Sequence, residues 1–236
     1  MPEVQRSRRS FLRLALGTTL AATTIGLPET AQAAPFTTER PPTPDTALKA
    51  LLDGNSRYIR GRLRHPNQRP DRISEVAKGQ HPFAIILGCA DSRVAPEIVF
   101  DQGLGDLFVV RVAGNIASDD AVGSIEFAVE EFGVPLIMVL GHARCGAISA
   151  TLGAMDSGAT VPRHIDTLVA AIEPVAKEVS KDTPDRVDVV VRKNTLHVAE
   201  QLMHESSILH EKLESGKLKI VSARYNLDDG RVDLLG

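Results

Sequence analysis

Three short runs of apolar residues divide the middle of the chain, over 83–87, 107–112 and 135–140. None of the three alternates between apolar and polar residues. Such runs are typical of strands that are buried on both faces of a parallel sheet. We therefore predict three parallel strands from these segments.

Apolar residues at helical spacing predict helices before, between and after these strands. One helix begins near residue 43, and a shorter one covers 72–78. The clearest helix lies between the second and third strands, where Val122 and Ile125 line one face and Gly133 ends it. The chain after the third strand is predicted to be mostly helical, over 146–155, 165–179, 187–204 and 208–214.

Two final strands are predicted over 217–223 and 231–235, joined through the turn residues Asp228-Asp229-Gly230. The order of strand, helix and strand implies right-handed crossovers. The predicted fold class is therefore α/β, with a central, mostly parallel β-sheet flanked by helices and an antiparallel C-terminal edge strand.

The composition is ordinary for a soluble globular protein, with 236 residues, 43% of them hydrophobic and 24% charged. A domain of this length buries enough surface to be stable without disulfides. The net charge of -3 gives no reason to expect a nucleic acid or an acidic membrane as partner.

The first residues have the features of an export signal. Paired arginines, Arg8 and Arg9, precede a mildly apolar stretch over 14–27, and Ala31-Gln32-Ala33 fits a cleavage pattern. A membrane anchor is the alternative, but the apolar stretch is shorter than the ~20 residues of a spanning helix.

We therefore predict a twin-arginine signal peptide over 1–33, a proline-rich linker over 34–44 and one folded domain over 45–236. The mature protein is expected to be exported to the periplasm or beyond, with no membrane attachment after cleavage.

The only two cysteines of the chain follow two of the predicted strands. Cys89 comes after the first strand, and His142 and Cys145 come after the third. The carboxyl ends of parallel strands meet at one edge of the sheet, where ligands bind. Two thiolates and an imidazole are zinc ligands, and Asp91 is close enough in sequence to compete for the fourth position. We predict one zinc ion per chain.

Two other interpretations of these residues remain open. A disulfide between Cys89 and Cys145 would suit an exported protein, but it would leave Asp91, Arg93 and His142 unexplained. A structural zinc site would keep Asp91 bound permanently. Arg93 argues against permanent binding, because its guanidinium can pair with both oxygens of the Asp91 carboxylate away from the metal.

The pattern Cys89-x-Asp91-x-Arg93 with His142-x-x-Cys145 resembles the β-class carbonic anhydrases, and the likeness runs from about residue 48 to 235. The resemblance implies the fold of that class and a homodimer or larger homo-oligomer. It also implies reversible hydration of carbon dioxide to bicarbonate and a proton by zinc-bound hydroxide.

The same resemblance implies a role for each matching residue. Cys89, His142 and Cys145 would be zinc ligands, and Asp91 would alternate between the metal and Arg93, which gates the fourth position. The residues that would bind substrate are Gln80, Phe108, Ala113 and Gly146. Two functional alternatives remain, a non-catalytic zinc- or bicarbonate-binding protein and an enzyme that hydrolyses carbonyl sulfide or carbon disulfide.

Overall fold

The computed structural model describes residues 43–236 of the protein. The signal peptide predicted over 1–33 and most of the linker predicted over 34–44 lie outside the described residues, so both stay predictions. From residue 43 onward, no helix is both long enough and apolar enough to cross a membrane.

Helices and strands alternate in the first part of the described chain, and helices dominate its second part. The strands are β1 (Ala84–Gly88), β2 (Leu107–Arg111), β3 (Leu136–His142), β4 (Lys219–Tyr225) and β5 (Val232–Leu235). The helices are α1 (Pro44–Ile59), α2 (Pro70–Val76), α3 (Pro96–Val99), α4 (Asp119–Phe132), α5 (Gly146–Ser157), α6 (Ile165–Lys177), α7 (Arg186–Glu205) and α8 (Ser207–Glu214). A single 3₁₀ turn covers Ala113–Asn115.

Side-chain caps and a glycine set the ends of the best-predicted helices. The Thr43 hydroxyl accepts the Thr46 N–H at 3.2 Å, and the Thr46 hydroxyl accepts the Thr43 N–H at 3.1 Å, which fixes the start of α1. Helix α4 ends at Gly133, whose φ of 58° is left-handed and therefore suits glycine. These local signals explain why both helices lie where the sequence predicted them.

The five strands form one sheet in the order β2-β1-β3-β4-β5. The first four are mutually parallel, and β5 pairs with β4 in the antiparallel direction. The predicted fold class is therefore confirmed. One detail of the prediction was wrong, because β2 is only half-buried while β1 and β3 are fully buried. Strand β2 lies at the edge of the sheet, and edge strands lack a second neighbour.

The apolar residues of the central strands face two separate layers. Ile85 and Leu87 of β1 pack with α4, α7 and α8 on one face of the sheet. Ile86, between them in sequence, packs with α1 on the other face. Because successive side chains of a strand point in opposite directions, one apolar run supplies both layers.

A third apolar cluster lies beyond the carboxyl ends of the strands. It contains both cysteines together with apolar residues of α5, α6 and α7, among them Ile148, Ile172 and Val190. Helix α7 approaches β3 closely at Gly141, where a Cβ would overlap the Thr195 hydroxyl. This approach leaves little free space behind His142.

Replacement of Gly141 by alanine should therefore destabilise the protein. We expect a loss of about 1–3 kcal/mol in the free energy of unfolding, because the added methyl overpacks the contact between α7 and β3. Urea denaturation would measure it. Gly123→Ala is the matched control, since a Cβ there meets open space inside α4. Gly123→Ala should raise the free energy of unfolding by about 0.5–1 kcal/mol. An unchanged free energy of unfolding in Gly141→Ala would contradict the packing argument.

Candidate metal centre

Three possible metal ligands from three different elements meet at the carboxyl edge of the sheet. Cys89 directly follows β1, His142 is the last residue of β3, and Cys145 caps the amino end of α5. All three side chains are buried, and their ligand atoms lie within 4.8 Å of one another. The sequence placed these residues at one edge, and the fold brings them into one cluster.

The two sulfurs are too far apart to be bonded. Cys89 Sγ and Cys145 Sγ are separated by 4.0 Å, and both cysteines are free. A disulfide bond is about 2.05 Å long, so the structure does not contain the alternative disulfide. Two Zn–S bonds of about 2.3 Å at a tetrahedral angle would span roughly 3.8 Å, close to the observed separation.

The imidazole of His142 is oriented by the backbone beside it. Its Nδ1 lies 2.9 Å from the carbonyl oxygen of Ala143. Since that oxygen can only accept, Nδ1 carries the proton and Nε2 keeps a free lone pair. This Nε2 atom is buried and has no hydrogen-bond partner among the described residues. A buried acceptor without a partner is costly, so its environment suits a metal ligand.

Hydrogen bonds favour the thiolate form of Cys89. The Cys145 thiol hydrogen bond lowers the pKa of Cys89 well below its ordinary value, and the N–H of Gly114 acts in the same direction at 3.3 Å. The same bond between the sulfurs, together with burial, raises the pKa of Cys145. Hydrogen bonding therefore favours the thiolate at Cys89, and the thiolate is the form in which cysteine binds a metal ion.

Asp91 is paired with Arg93 rather than grouped with the three ligands. The guanidinium donates from Nε to Oδ1 at 2.9 Å and from Nη2 to Oδ2 at 2.7 Å, a bidentate arrangement. This pairing holds the pKa of the Asp91 carboxyl far below its usual range. Its Oδ2 still lies 3.8 Å from His142 Nε2. The carboxylate thus borders the cluster without belonging to it.

Arg111 supports the loop that carries Cys89 and Asp91, a role that the sequence reasoning missed. Its Nε donates to the carbonyl of Cys89 at 2.9 Å and its Nη2 to the carbonyl of Asp91 at 2.6 Å. Arg111 ends β2 and pairs in register with Gly88. The sequence did offer a signal for this role, because Arg111 lies near the carboxyl end of a predicted strand, at the edge where the ligand site was expected.

Two of the four predicted substrate-binding residues lie beside the cluster. Gly146 is the exposed first residue of α5, next to Cys145. Ala113 is half-buried and precedes Gly114, whose N–H contacts the Cys89 sulfur. Both positions can border a ligand at the metal centre.

The other two predicted substrate-binding residues are not brought to the cluster within one chain. Phe108 lies near the start of β2, where its ring packs against Phe132 at a centroid distance of 6.2 Å. Gln80 is exposed and precedes β1, so it lies at the amino edge of the sheet. A strand of this length separates the two edges by about 13 Å. The strand predicted over 83–87 lies between Gln80 and Cys89, so the sequence carried a signal of this separation.

Comparison with known proteins agrees with the geometry. A profile of the family described as carbonic anhydrase matches residues 84–232. Carbonic anhydrase 2 of Mycobacterium tuberculosis is 45% identical over 191 residues, which cover 81% of this chain and 92% of that protein. A carbonic anhydrase of Mycolicibacterium smegmatis is 43% identical over 191 residues, covering 81% of this chain and 93% of that protein.

Solved structures of the β class share the fold. One from the ascomycete Sordaria macrospora, described as tetrameric, has a TM-score of 0.64 and 26% identity and covers 81% of this chain and 98% of its own. A Coccomyxa β-carbonic anhydrase in complex with acetazolamide has a TM-score of 0.61 and 26% identity, covering 69% of this chain and 75% of its own.

We predict that the folded protein binds one zinc ion per chain and that the metal stabilises it. Because a ligand that binds only the folded state adds about 2.7 kcal/mol at one hundred times its dissociation constant, a strong chelator should lower the melting temperature. His142→Ala should abolish both the zinc content and the chelator effect. His204→Ala, an exposed histidine at the end of α7, is the control. Equal melting temperatures of the unchanged protein with and without zinc would contradict the prediction.

Proposed function

Because this chain belongs to the β class of carbonic anhydrases, we propose that its cysteine–histidine cluster binds zinc and hydrates carbon dioxide reversibly to bicarbonate and a proton. The observation that carries this proposal is the meeting of Cys89, His142 and Cys145 with their ligand atoms within 4.8 Å. The unpaired, buried Nε2 of His142 supports a metal ligand rather than a structural histidine.

Bound zinc would supply a Lewis acid that makes a coordinated water acidic, an effect for which carbonic anhydrases are the standard example. The protein supplies the rest of the site. Three ligands leave one tetrahedral position for the reaction, as catalytic zinc sites require. The chain therefore needs a device that keeps Asp91 away from that position.

Arg93 is the residue that we assign to this task. Its two hydrogen bonds to Asp91 hold both carboxylate oxygens, and the Arg93 backbone N–H donates to Oδ1 as well, at 3.0 Å. In this arrangement Asp91 can accept a hydrogen bond from the attacking water. If the pair separated, the carboxylate would be free to close the metal site. Arg93 thus gates the fourth position.

The surroundings of the cluster suit a small uncharged substrate. Both cysteines lie in an apolar cluster with Ile116 and Ile148, and carbon dioxide carries no charge that would need a counterion. We assign Ala113, directly before Gly114, to the apolar wall of the substrate pocket. Gly146 is the first residue of α5, where backbone N–H groups lack partners within the helix. We assign its N–H to orienting a substrate oxygen.

We further propose that the enzyme is a homodimer or a larger homo-oligomer, in which Gln80 acts on the site of another copy. Within one chain, Gln80 and the cluster lie at opposite edges of the sheet. Strand β2 has no neighbour on its outer side among the described residues. A two-fold axis that paired two β2 edges in the antiparallel direction would bring the amino edge of one sheet beside the carboxyl edge of the other.

The catalytic proposal predicts carbon dioxide hydration by the zinc-loaded protein in a stopped-flow assay. His142→Ala should lose this activity together with the zinc. Asp91→Asn should keep the zinc and lower kcat/KM by roughly 100-fold, because a neutral amide accepts a hydrogen bond from water more weakly than a carboxylate does and cannot take up its proton. Asp53→Asn, which alters an exposed ion pair with Lys49, should leave the rate unchanged.

The same assay separates the remaining alternatives. A zinc-loaded protein without hydration activity would be a binding protein and would contradict the proposal. Faster turnover of carbonyl sulfide than of carbon dioxide would keep the centre but change its substrate.

A complementation experiment tests the proposed role of Gln80. We expect Gln80→Ala and His142→Ala to be nearly inactive alone, and a mixture refolded together to recover activity. In a mixed dimer, the copy with an intact metal centre would receive Gln80 from the other copy. If each chain used its own Gln80, every site in the mixture would be defective and no activity would return.

A further inference from the structure

One glycine connects the metal centre to the interior of the protein. Gly114 donates its N–H to Cys89 Sγ at 3.3 Å, and its carbonyl accepts a hydrogen bond from Asn194 Nδ2 at 3.0 Å. Its φ of 76° lies in the left-handed region that glycine adopts without strain. The orientation of this residue therefore decides whether its N–H points at the sulfur.

Asn194 is a polar residue in the protein interior, where a side chain with an unpaired polar atom is unfavourable. It is 1% exposed, and its Oδ1 has no hydrogen-bond partner among the described residues. A leucine of similar volume would avoid the cost of this unpaired oxygen. An apolar residue at this position could not donate the hydrogen bond that Asn194 Nδ2 gives to the Gly114 carbonyl.

Packing confines the same glycine from its other sides. A Cβ at Gly114 would lie 2.8 Å from Ile172 Cδ1 and 3.3 Å from the Cβ of Ala147. The next residue of α7, Thr195, packs on β3, where it contacts Gly141 immediately before His142. One turn of α7 therefore contacts the backbone on both the cysteine side and the histidine side of the centre.

We infer that Asn194 is a positioning residue of the metal centre. It holds the Gly114 carbonyl, so that the Gly114 N–H keeps donating to the Cys89 sulfur and stabilises its negative charge. Partners beyond the ligands commonly change metal affinity by 10- to 100-fold. Asn194 contacts neither the three proposed ligands nor the reacting atoms directly, and its effect passes through the backbone of one residue, Gly114. This inference rests on the proposed zinc centre.

Asn194→Leu tests the inference, with zinc affinity measured by competition against a chromophoric chelator. We expect about 10-fold weaker zinc binding, because the Gly114 carbonyl loses its hydrogen bond from Asn194. The cobalt-substituted variant should also show a shifted sulfur-to-cobalt charge-transfer band. Ser222→Ala is the control, since the buried Ser222 hydroxyl donates to the Thr195 carbonyl on the same turn of α7 and does not hydrogen-bond to Gly114. It should bind zinc as the unchanged protein does.

A second measurement does not depend on whether the variant folds. In the unchanged protein loaded with ¹¹³Cd, the Gly114 amide proton should show scalar coupling to the metal through the N–H···S hydrogen bond. Absence of that coupling would overturn the inference, as would unchanged zinc affinity in Asn194→Leu or an equal loss in Ser222→Ala. Failure of the unchanged protein to bind zinc would instead overturn the proposed function.

Discussion

The structure depends on burying two cysteines and a histidine that could hold a metal ion and whose polar atoms the protein itself leaves incompletely satisfied. The sulfurs of Cys89 and Cys145 share one hydrogen bond, and the Nε2 of His142 has no partner among the described residues. Such groups are costly in a protein interior. A bound cation would remove that cost, so the proposed metal binding would be coupled to folding stability at this centre.

The sheet provides the fixed framework that brings these ligands together. Cys89 and His142 end two adjacent parallel strands, and Cys145 begins the helix that follows the second of them. Because β1 and β3 are buried on both faces, neither strand end can move without disturbing the core. The close approach of α7 at Gly141 restricts the same region from behind. The centre is therefore pre-formed by packing.

Three arginines around the centre each hold a different part of the surrounding loops. Arg93 engages the Asp91 carboxylate, whereas Arg111 engages the backbone carbonyls of Cys89 and Asp91. Arg144, between two ligands in sequence, is held by Asp228 through a bidentate pair at 2.9 and 2.8 Å. Guanidinium groups suit these tasks because their donors lie in a rigid plane. Two of these arginines hold the loops, and Arg93 holds the carboxylate of Asp91.

The sequence by itself determined the fold class, the positions of the long helices and of the strands to within a few residues, and the meeting of Cys89, His142 and Cys145, but it did not predict the short helix α3. Those features follow from local periodicity, from turn residues and from the rule that parallel strand ends share an edge. Only the tertiary structure decided that Arg111 holds the backbone of Cys89 and Asp91, and that Asn194 contacts Gly114. These relations are distances between elements remote in sequence, set by side-chain packing, and no local pattern encodes them.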